Sequence, residues 1–327
     1  MQTPFTRRVV LAAATLLAAS VAGPTFAQAR FPSKPVKIVV PFTAGSQVDF
    51  VGREVARKLQ EKWGQTVVVE NKVGAGGTLG SRAVLQEGQD GHTLLVTSAS
   101  HAINPTMYGA RLPYDTKKDF VGVSFLTSVP NVLVVAPSLG VKSVGDLVAR
   151  IRAKPAEHNF ASAGTGSGTH FNGEMFKVAL GVDLLHVPYK GTGDALLNTA
   201  AGRSTLYWSP LGLTLPFIRE GKLVPLAVST AQRAALMPEV PTIAETFPGL
   251  VYDHWYGMMA PASMPRAVVE QISRDVGEVL RMPDVVKALA DQGVIAAPNS
   301  PAEFDKFITS EIERLGAVVK AAGVQAN

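Results

Sequence analysis

The chain has 327 residues, of which 46% are hydrophobic and 17% charged, and it contains 30 glycines and 22 prolines. This composition excludes a disordered chain and a coiled coil, and the length exceeds the roughly 250–300 residues that one hydrophobic core usually holds, so we expect two α/β lobes. The formal net charge of only +5, with scattered lysines and arginines, argues against nucleic acid or an anionic membrane as a partner, and the lack of cysteine excludes disulfides, thiolate-bound zinc, iron–sulfur clusters and a cysteine nucleophile.

The first 27 residues predict a secretory signal peptide. Arg7 and Arg8 precede an apolar run over 9–22, and small residues follow it, so we expect cleavage after Ala27 or Ala29. A membrane anchor is the alternative, but this run of about 14 residues is shorter than the roughly 20 that span a bilayer. We therefore expect export to the periplasm, by the general or the twin-arginine route, and a mature net charge of +5 − 2 = +3.

Apolar runs alternate with amphipathic segments through the first third of the mature chain. The runs are continuously apolar, as expected of parallel strands that helices cover on both faces. The predicted elements are strands over 36–42, 66–70 and 93–97 and helices over 49–62 and 79–86. This order is a βαβαβ unit.

A second series of the same kind begins with a strand over 132–136. Its other predicted elements are helices over 143–154, 169–180 and 194–201 and strands over 159–162, 184–188, 205–208 and 224–228. The C-terminal part predicts helices over 265–281, 284–292 and 300–322 with one short strand between 294 and 298. Because these helices form no domain of their own, we expect them to pack on the first lobe.

This organisation predicts two α/β lobes with a cleft between them. The chain would cross between the lobes twice, near 125–132 and near 252–261, which is the arrangement of a hinge. We expect lobe 1 to comprise 28–128 plus 255–327, and lobe 2 to comprise 129–254.

Three glycine-rich turns stand between a predicted strand and a helix, at 43–49, 74–78 and 163–170. Glycine lets the backbone approach a ligand closely, and a helix start offers unpaired N–H groups with a partial positive charge. In open α/β sheets, ligands bind beyond the carboxyl ends of the strands, where these turns lie. One such turn alone more often serves only to reverse the chain, but three together predict an anion-binding cleft.

The sequence supports neither an active site nor a cofactor. The turns lack the Walker lysine and the dinucleotide spacing, and the six histidines show no metal-ligand spacing. Ser167 beside His170 leaves an exported serine hydrolase as the alternative function, although a serine that opens a helix is more often a cap, and Ser98 with His101 is a similar weak pair. Asp49 is interpreted as a partner of the helix start and not as a general acid.

Two further side chains are candidates for the cleft. Lys190 ends a predicted strand just before a helix and can meet an anionic ligand there, with a solvated surface position as the plainer alternative. Trp208, at the end of a later strand, either walls the cleft or packs in the core.

Several short motifs follow one another along the chain in the order of a known family. They are Val39-Val40-Pro41-Phe42 with Asp49, Glu70-Asn71-Lys72, Gly74-Ala75-Gly76-Gly77-Thr78-Leu79-Gly80, Asp90-Gly91-His92-Thr93-Leu94-Leu95, Asn104-Pro105, Leu112-Pro113-Tyr114-Asp115, Lys118-Asp119-Phe120, His186-Val187-Pro188-Tyr189-Lys190-Gly191 and Trp255-Tyr256-Gly257. They cover nearly the whole mature chain. In these motifs the chain resembles the substrate-binding proteins of tripartite tricarboxylate transporters, the Bug family.

The resemblance implies the Venus-flytrap fold of a two-lobed periplasmic binding protein, a monomer that captures a di-, tri- or aromatic carboxylate without catalysis and presents it to a membrane permease or a sensor kinase. The family holds the ligand carboxylate between the turn after the first strand and the helix start of the second lobe, largely through backbone groups and water. The ligand-binding residues that the turns and the resemblance indicate are Thr43, Ala44, Gly45, Ser46, Gln47, Gly76, Gly77, Thr97, Ser98, Ser162, Thr165, Gly166, Ser167, Gly168, Thr169, His170, Lys190, Gly191, Thr192 and Trp208.

The chain departs from the family pattern at two places. The first turn usually reads Gly-Gly, and here its second residue is Ser46. Where the family often has Gly-Gln-Val-Asp before a strand, this chain has Gly202-Arg203-Ser204-Thr205, followed by the aromatic Leu206-Tyr207-Trp208. We take these departures to indicate a bulkier or aromatic carboxylate.

Overall fold

The computed structural model describes residues 31–88 and 91–324. From Lys34 onward they form one compact unit. The predicted signal peptide with its cleavage sites after Ala27 and Ala29, and Asp90 of the family motif, lie outside the described residues.

Strands and helices alternate along most of the chain. The strands are β1 Val36–Val40, β2 Val67–Asn71, β3 Thr93–Ser98, β4 Phe120–Val129, β5 Asn131–Val135, β6 Asn159–Ser162, β7 Leu185–Pro188, β8 Leu206–Pro210, β9 Val224–Val228, β10 His254–Pro261 and β11 Ile295–Ala296. The helices are α1 Gln47–Trp63, α2 Thr78–Glu87, α3 Ser100–Tyr108, α4 Val144–Ala153, α5 Gly168–Leu180, α6 Thr192–Ala200, α7 Leu211–Arg219, α8 Arg266–Leu280, α9 Pro283–Asp291 and α10 Pro301–Ala322.

The first sheet contains six strands in the order β11-β4-β10-β3-β1-β2. Strand β1 pairs in parallel with β2 and β3, which confirms the predicted βαβαβ unit. Strand β10 is antiparallel to both β3 and β4, so the sheet is mixed and the parallel arrangement is confined to the βαβαβ unit. The direction of β10 follows from its origin, because the chain re-enters this sheet from the other one.

The second sheet has the order β7-β6-β8-β5-β9. Strand β6 is parallel to β7 and β8, whereas β5 is antiparallel to β8 and β9. The helices packed on each sheet complete two α/β lobes, which we call the first and the second lobe. The predicted boundaries at 128/129 and 254/255 stay predictions.

The chain passes between the lobes at two neighbouring places. It leaves the first sheet at Val129 and enters the second at Asn131, and it returns between Val228 and His254. The two passages are joined by hydrogen bonds, since the Asn131 N–H donates to Ser229 Oγ at 3.1 Å and the Ser229 N–H donates to the Asn131 carbonyl at 2.8 Å. A paired double crossing of this kind lets two lobes rotate about one axis.

The C-terminal helices return to the first lobe, as predicted. Phe304 of α10 is fully buried, and glycine at positions 122 and 257 leaves the space that its ring occupies. The indole N–H of Trp255 in β10 donates to Glu311 Oε2 of α10 at 2.9 Å. The longest helix is thereby fixed to the strand that carries the second crossing.

Two helices and two strands were not predicted from the sequence, namely α3, α7, β4 and β10. Pro105 lies inside α3 and Pro216 lies inside α7. Proline removes a backbone donor and usually ends a helix, so a sequence with an internal proline does not indicate a helix at either place. Helix α3 packs chiefly on α10, and α7 packs on β8 and β5; these contacts stabilise both helices despite the proline.

Candidate functional site

A cavity of about 400 Å³ lies between the two lobes, at the carboxyl ends of their parallel strands. All three glycine-rich turns contribute to its wall. The predicted ligand-binding residues that line it are Thr43, Ser46, Gln47, Gly76, Gly77, Ser98, Thr165, Ser167, Gly168, Thr169, Lys190, Gly191 and Thr192. The geometry thus brings both lobes' turns together at one place.

Five helices begin at the wall of this cavity. The N-cap residues of α1, α2, α5, α6 and α7 all line it, and they are Ser46, Gly77, Ser167, Gly191 and Pro210. Each helix start presents N–H groups that have no partner within the helix, and it carries a partial positive charge of about half an elementary charge. Positive poles from both lobes therefore converge on one space.

The described side chains that line the cavity bring no negative charge to these poles. Among the described residues that line the cavity there is no carboxylate, and the exposed Lys190 is the only one with a formal charge at neutral pH. His254 also lines the wall, and burial lowers the pKa of its imidazole to about 4, so the ring is neutral at pH 7. The cavity therefore has the electrostatic character of an anion site.

Asp49 fixes the turn of the first lobe. Its carboxylate accepts hydrogen bonds from the Gly45 N–H at 2.9 Å, from Arg53 Nε at 2.9 Å and from Asn71 Nδ2 at 2.8 Å. Burial by itself raises the pKa of this carboxyl, but the hydrogen bonds from Arg53, Gly45 and Asn71 outweigh burial and hold the pKa below its ordinary value. Asp49 thus fixes the shape of the turn. Asn71 of the Glu-Asn-Lys motif holds the same turn a second time, because its Nδ2 also donates to the Phe42 carbonyl at 3.0 Å.

The turn of the second lobe is held by its own side chains. Ser167 Oγ accepts from the His170 N–H at 3.2 Å and caps α5, while Thr169 Oγ1 accepts from the Ala163 N–H at 2.9 Å. The Gly166 N–H donates to the imidazole Nδ1 of His170 at 3.2 Å. Ser167 and His170 therefore stabilise a turn and do not form the nucleophile–base pair of the hydrolase alternative.

His170 lies behind the turn in a buried cluster and does not line the cavity. Its ring stacks on that of His186 with centroids 3.9 Å apart, and its Nε2 is 3.4 Å from Glu174 Oε1. His186 Nε2 is 2.6 Å from Ser162 Oγ. Burial, with the nearby His170 and Lys177, lowers the pKa of His186 to about 3, so its ring is neutral at pH 7. The two stacked rings pack against the buried side of the turn.

Seven predicted residues do not line the cavity, and they are Ala44, Gly45, Thr97, Ser162, Gly166, His170 and Trp208. The prediction of Trp208 as a possible cleft wall is corrected, because its ring packs in the core of the second lobe with Phe176, centroids 5.9 Å apart. Side chains alternate along a strand, and it is Tyr207 that faces the opposite side. The Ser98–His101 pair is also not formed, since His101 is fully buried beside Tyr114 and Phe120.

Much of the cavity wall was not predicted from the sequence. The additional lining residues are Pro41, Phe42, Val48, Val73, Gly74, Ala75, Tyr108, Ala163, Gly164, Tyr189, Pro210, His254 and Tyr256. Many of these flank the predicted turns and were within reach of the same argument. Tyr108, His254 and Tyr256 belong to α3 and β10, which were not predicted, so no local signal placed them here.

The lobes touch at glycines on both sides of the cavity. A Cβ at Gly191 of the second lobe would lie 2.7 Å from Thr43 Oγ1 of the first, and a Cβ at Gly76 of the first lobe would lie 3.2 Å from the Thr165 carbonyl of the second. A Cβ at Gly212 would overlap the Gln292 carbonyl. The described conformation is therefore a closed one, in which a glycine of one lobe leaves room for a group of the other at each of these contacts.

Within residues 31–88 and 91–324, no cluster of histidine and acidic side chains has a metal-binding arrangement. In the same ranges, no helix combines the length and the hydropathy that crossing a membrane requires.

The sequence is similar to those of a family of transporter receptors. The family profile described as "Tripartite tricarboxylate transporter family receptor" matches residues 51–324. Protein BugT of Bordetella pertussis is 34% identical over 325 residues, which cover 98% of each chain.

Two solved structures are similar to this chain in both sequence and fold. R. palustris Rpa4515 with adipate is 34% identical with a TM-score of 0.85, over 90% of this chain and 99% of that one. MatC from Rhodopseudomonas palustris with bound malate is 30% identical with a TM-score of 0.82, over 88% of this chain and 100% of that one. Adipate and malate are both small carboxylates, so the two relatives bind anions of one chemical class.

Proposed function

The chain belongs to the tripartite tricarboxylate transporter family of receptors, and from this premise we propose that it is a periplasmic receptor that binds a small organic carboxylate in the cavity between its lobes. The observation that carries the proposal is the convergence of five helix starts on a cavity whose described lining has no carboxylate. Backbone N–H groups at helix starts bind carboxylates well because their partial charge and their free donors point at the same place.

Closure of the lobes follows from this arrangement. The helix starts of α1 and α2 belong to the first lobe and those of α5, α6 and α7 to the second, so an anion that touches both sets stabilises the closed form. A ligand shifts such an equilibrium by its difference in affinity for the two forms. In this proposal the protein acts as a monomer, and its closed surface is what a membrane permease, or alternatively a sensor kinase, recognises.

We propose no catalytic activity. The family is one of receptors, and the adipate- and malate-bound relatives are solute-binding structures with the same fold. Ser167 and His170, which carried the hydrolase alternative, are both engaged in holding the turn.

A thermal-shift screen of the mature protein tests the function directly. The panel contains adipate, malate, citrate and benzoate, each beside its neutral amide as the matched control. A ligand at 1,000 times its Kd adds roughly 4 kcal/mol to the free energy of unfolding, so a binding acid should raise the melting midpoint while its amide does not. Equal shifts by an acid and its amide, or no shift by any carboxylate, would contradict the proposal.

The periplasmic location has a separate test. N-terminal sequencing of the protein from periplasmic extract should find Gln28 or Arg30 as the first residue. An intact Met1 in the membrane fraction would show that the first 27 residues are an anchor instead.

A further inference from the structure

The glycine-rich turn of the second lobe contains a tight β-turn over residues 164–167. The Ser167 N–H donates to the Gly164 carbonyl at 3.1 Å, and of the two central residues only Gly166 has a positive φ, which is +82°. These features define a type II turn with glycine in its third position. Type I and type II turns differ by a half-rotation of the central peptide group, and glycine permits both. The turn by itself therefore does not fix the direction of the Thr165–Gly166 peptide.

His170 fixes this direction. Its Nδ1 accepts a hydrogen bond from the Gly166 N–H at 3.2 Å. The N–H and C=O groups of a trans peptide point opposite ways, so the Thr165 carbonyl is turned away from the ring and toward the first lobe, where a Cβ on Gly76 would lie 3.2 Å from it. In the reversed peptide the Thr165 carbonyl would face Nδ1, and two acceptors would oppose each other. The imidazole thus selects the type II form.

Glu174 favours the form of the ring that can accept this bond. A backbone N–H only donates, so Nδ1 holds a lone pair and the single proton of the neutral ring is on Nε2. Nε2 lies 3.4 Å from Glu174 Oε1, and the two side chains are only 2% and 3% exposed. The other carboxylate oxygen of Glu174 pairs with Lys177 Nζ at 2.9 Å. A carboxylate oxygen beside Nε2 favours the proton there and leaves Nδ1 free for Gly166.

His186 completes the support of the turn. Its ring stacks on that of His170 with centroids 3.9 Å apart, and its Nε2 is 2.6 Å from Ser162 Oγ. That hydroxyl oxygen accepts from the Gly164 N–H at 3.1 Å. The stacked pair therefore holds the amide of one turn glycine directly and that of the other through a serine.

We propose that His170 is a positioning residue for ligand binding, which keeps the Thr165–Gly166 peptide in the direction that the cavity wall and the contact between the lobes require. It acts through Gly166 and does not touch the ligand. Thr165 and Ser167, on either side of this peptide, line the cavity, so reversal of the peptide reshapes the wall and withdraws the carbonyl from Gly76. This role rests on the proposed function, because the affinity for a carboxylate is what His170 sustains.

Two substitutions separate the acceptor of His170 from its ring. Oδ1 of asparagine is as many bonds from the backbone as Nδ1 of histidine, so His170→Asn keeps an acceptor and loses the ring. His170→Phe keeps a ring against His186 and loses the acceptor. The probe is whichever of adipate, malate, citrate and benzoate raises the melting midpoint of the mature protein most, and calorimetry at pH 7 measures its affinity.

The acceptor predicts opposite orders for affinity and for stability. His170→Phe should bind the probe at least about tenfold more weakly than wild type, which corresponds to about 1.4 kcal/mol, because the turn then either leaves a buried N–H unpaired or reverses its peptide. His170→Asn should stay within about threefold of wild type. In urea, however, His170→Asn should be the less stable of the two, since it leaves a cavity beside His186.

Substitutions at Glu174 test the same link without changing the turn or its ring. Glu174→Met keeps a long side chain but removes the acceptor for the Nε2 proton, and it should weaken binding by about three- to tenfold. Glu174→Gln retains an oxygen acceptor and should restore most of the affinity. His101→Phe is the matched control, because His101 is also fully buried and neither of its ring nitrogens has a partner among the described residues. It should leave the affinity at pH 7 unchanged.

Nitrogen NMR of the histidine rings gives a readout that packing alone would not set. In the wild-type protein at pH 7, the His170 signals should show an unprotonated Nδ1 and a protonated Nε2, and they are assigned by their absence from His170→Phe. A proton on Nδ1 would overturn the proposal, because that nitrogen could not then accept from Gly166.

The binding outcomes separate the two proposals. If His170→Phe binds as tightly as wild type, or more tightly than a folded His170→Asn, the ring acts by packing alone, and the positioning role is wrong while the receptor function stands. Should His170→Asn not fold, equal affinities of Glu174→Met and wild type would refute the role instead. If none of the four carboxylates binds to the wild-type protein, the receptor function is wrong and the positioning role falls with it.

Discussion

Substitution of Gly212 by alanine should hinder closure without harming either lobe. Gly212 is the second residue of α7 in the second lobe, and a Cβ there would overlap the Gln292 carbonyl oxygen and lie 2.7 Å from its carbonyl carbon. It would also lie 2.8 Å from Gln47 Nε2. Both neighbours belong to the first lobe, so the added methyl group meets an obstacle only where the lobes touch.

The size of the effect follows from these distances. Carbon atoms in contact are normally about 3.5–4.0 Å apart, so the lobes must separate by roughly 1 Å at this place. Overpacking of this kind costs roughly 1–3 kcal/mol, which lowers the affinity for the carboxylate by about 5- to 150-fold. Within α7, alanine is the better helix former by up to about 1 kcal/mol, so the free energy of unfolding without ligand should not fall.

Calorimetry with the carboxylate that gives the largest thermal shift measures the loss, and small-angle scattering should show a larger radius of gyration for the ligand-saturated variant. Gly193→Ala is the matched control, because Gly193 is the second residue of α6 and a Cβ there meets nothing within 4 Å. Unchanged affinity of Gly212→Ala would mean that this contact does not limit closure. A marked loss of stability without ligand would mean that the contact is a permanent part of the fold.

Three further predictions concern charge. Lys190→Ala should lower the affinity for the carboxylate, measured by calorimetry, by no more than about fivefold, because an exposed ion pair contributes at most about 1 kcal/mol. A near-complete loss of binding would mean that a side chain, and not the helix starts, holds the ligand. Asp49→Asn should lower the free energy of unfolding, measured by urea denaturation, by about 1–3 kcal/mol and should weaken carboxylate binding, because an amide cannot accept from all three donors. Wild-type stability and affinity in this variant would show that the turn holds without the carboxylate. The pKa of His101 and that of His254 are each lowered by burial from 6.5 to about 4, so in the unfolded chain these rings bind protons at a higher pH than in the folded chain. Stability should be full above about pH 6.5 and decline toward pH 4 by up to about 1.4 kcal/mol per pH unit for each histidine, and urea melts of His101→Phe should decline less steeply than wild type.

The sequence by itself determined the class of the protein and half of its site. Apolar runs followed by glycines locate strand ends and helix starts, because both signals are local in the chain and depend only on backbone geometry. The turns at 43–49, 74–78 and 163–170 were found in this way, and all three contribute to the cavity wall. The motifs that resemble the family predicted that the ligand is a carboxylate.

Only the tertiary structure decided which residues line the cavity. Trp208 and its neighbour Tyr207 look alike in the sequence, but strand register turns one into the core with Phe176 and the other to the opposite face. His254 is about two hundred positions from Ser46, and they share a cavity wall because β10 returns antiparallel beside β3. Such neighbours are fixed by pairing between distant segments and by the direction of a side chain from its strand, and neither is encoded in a local pattern.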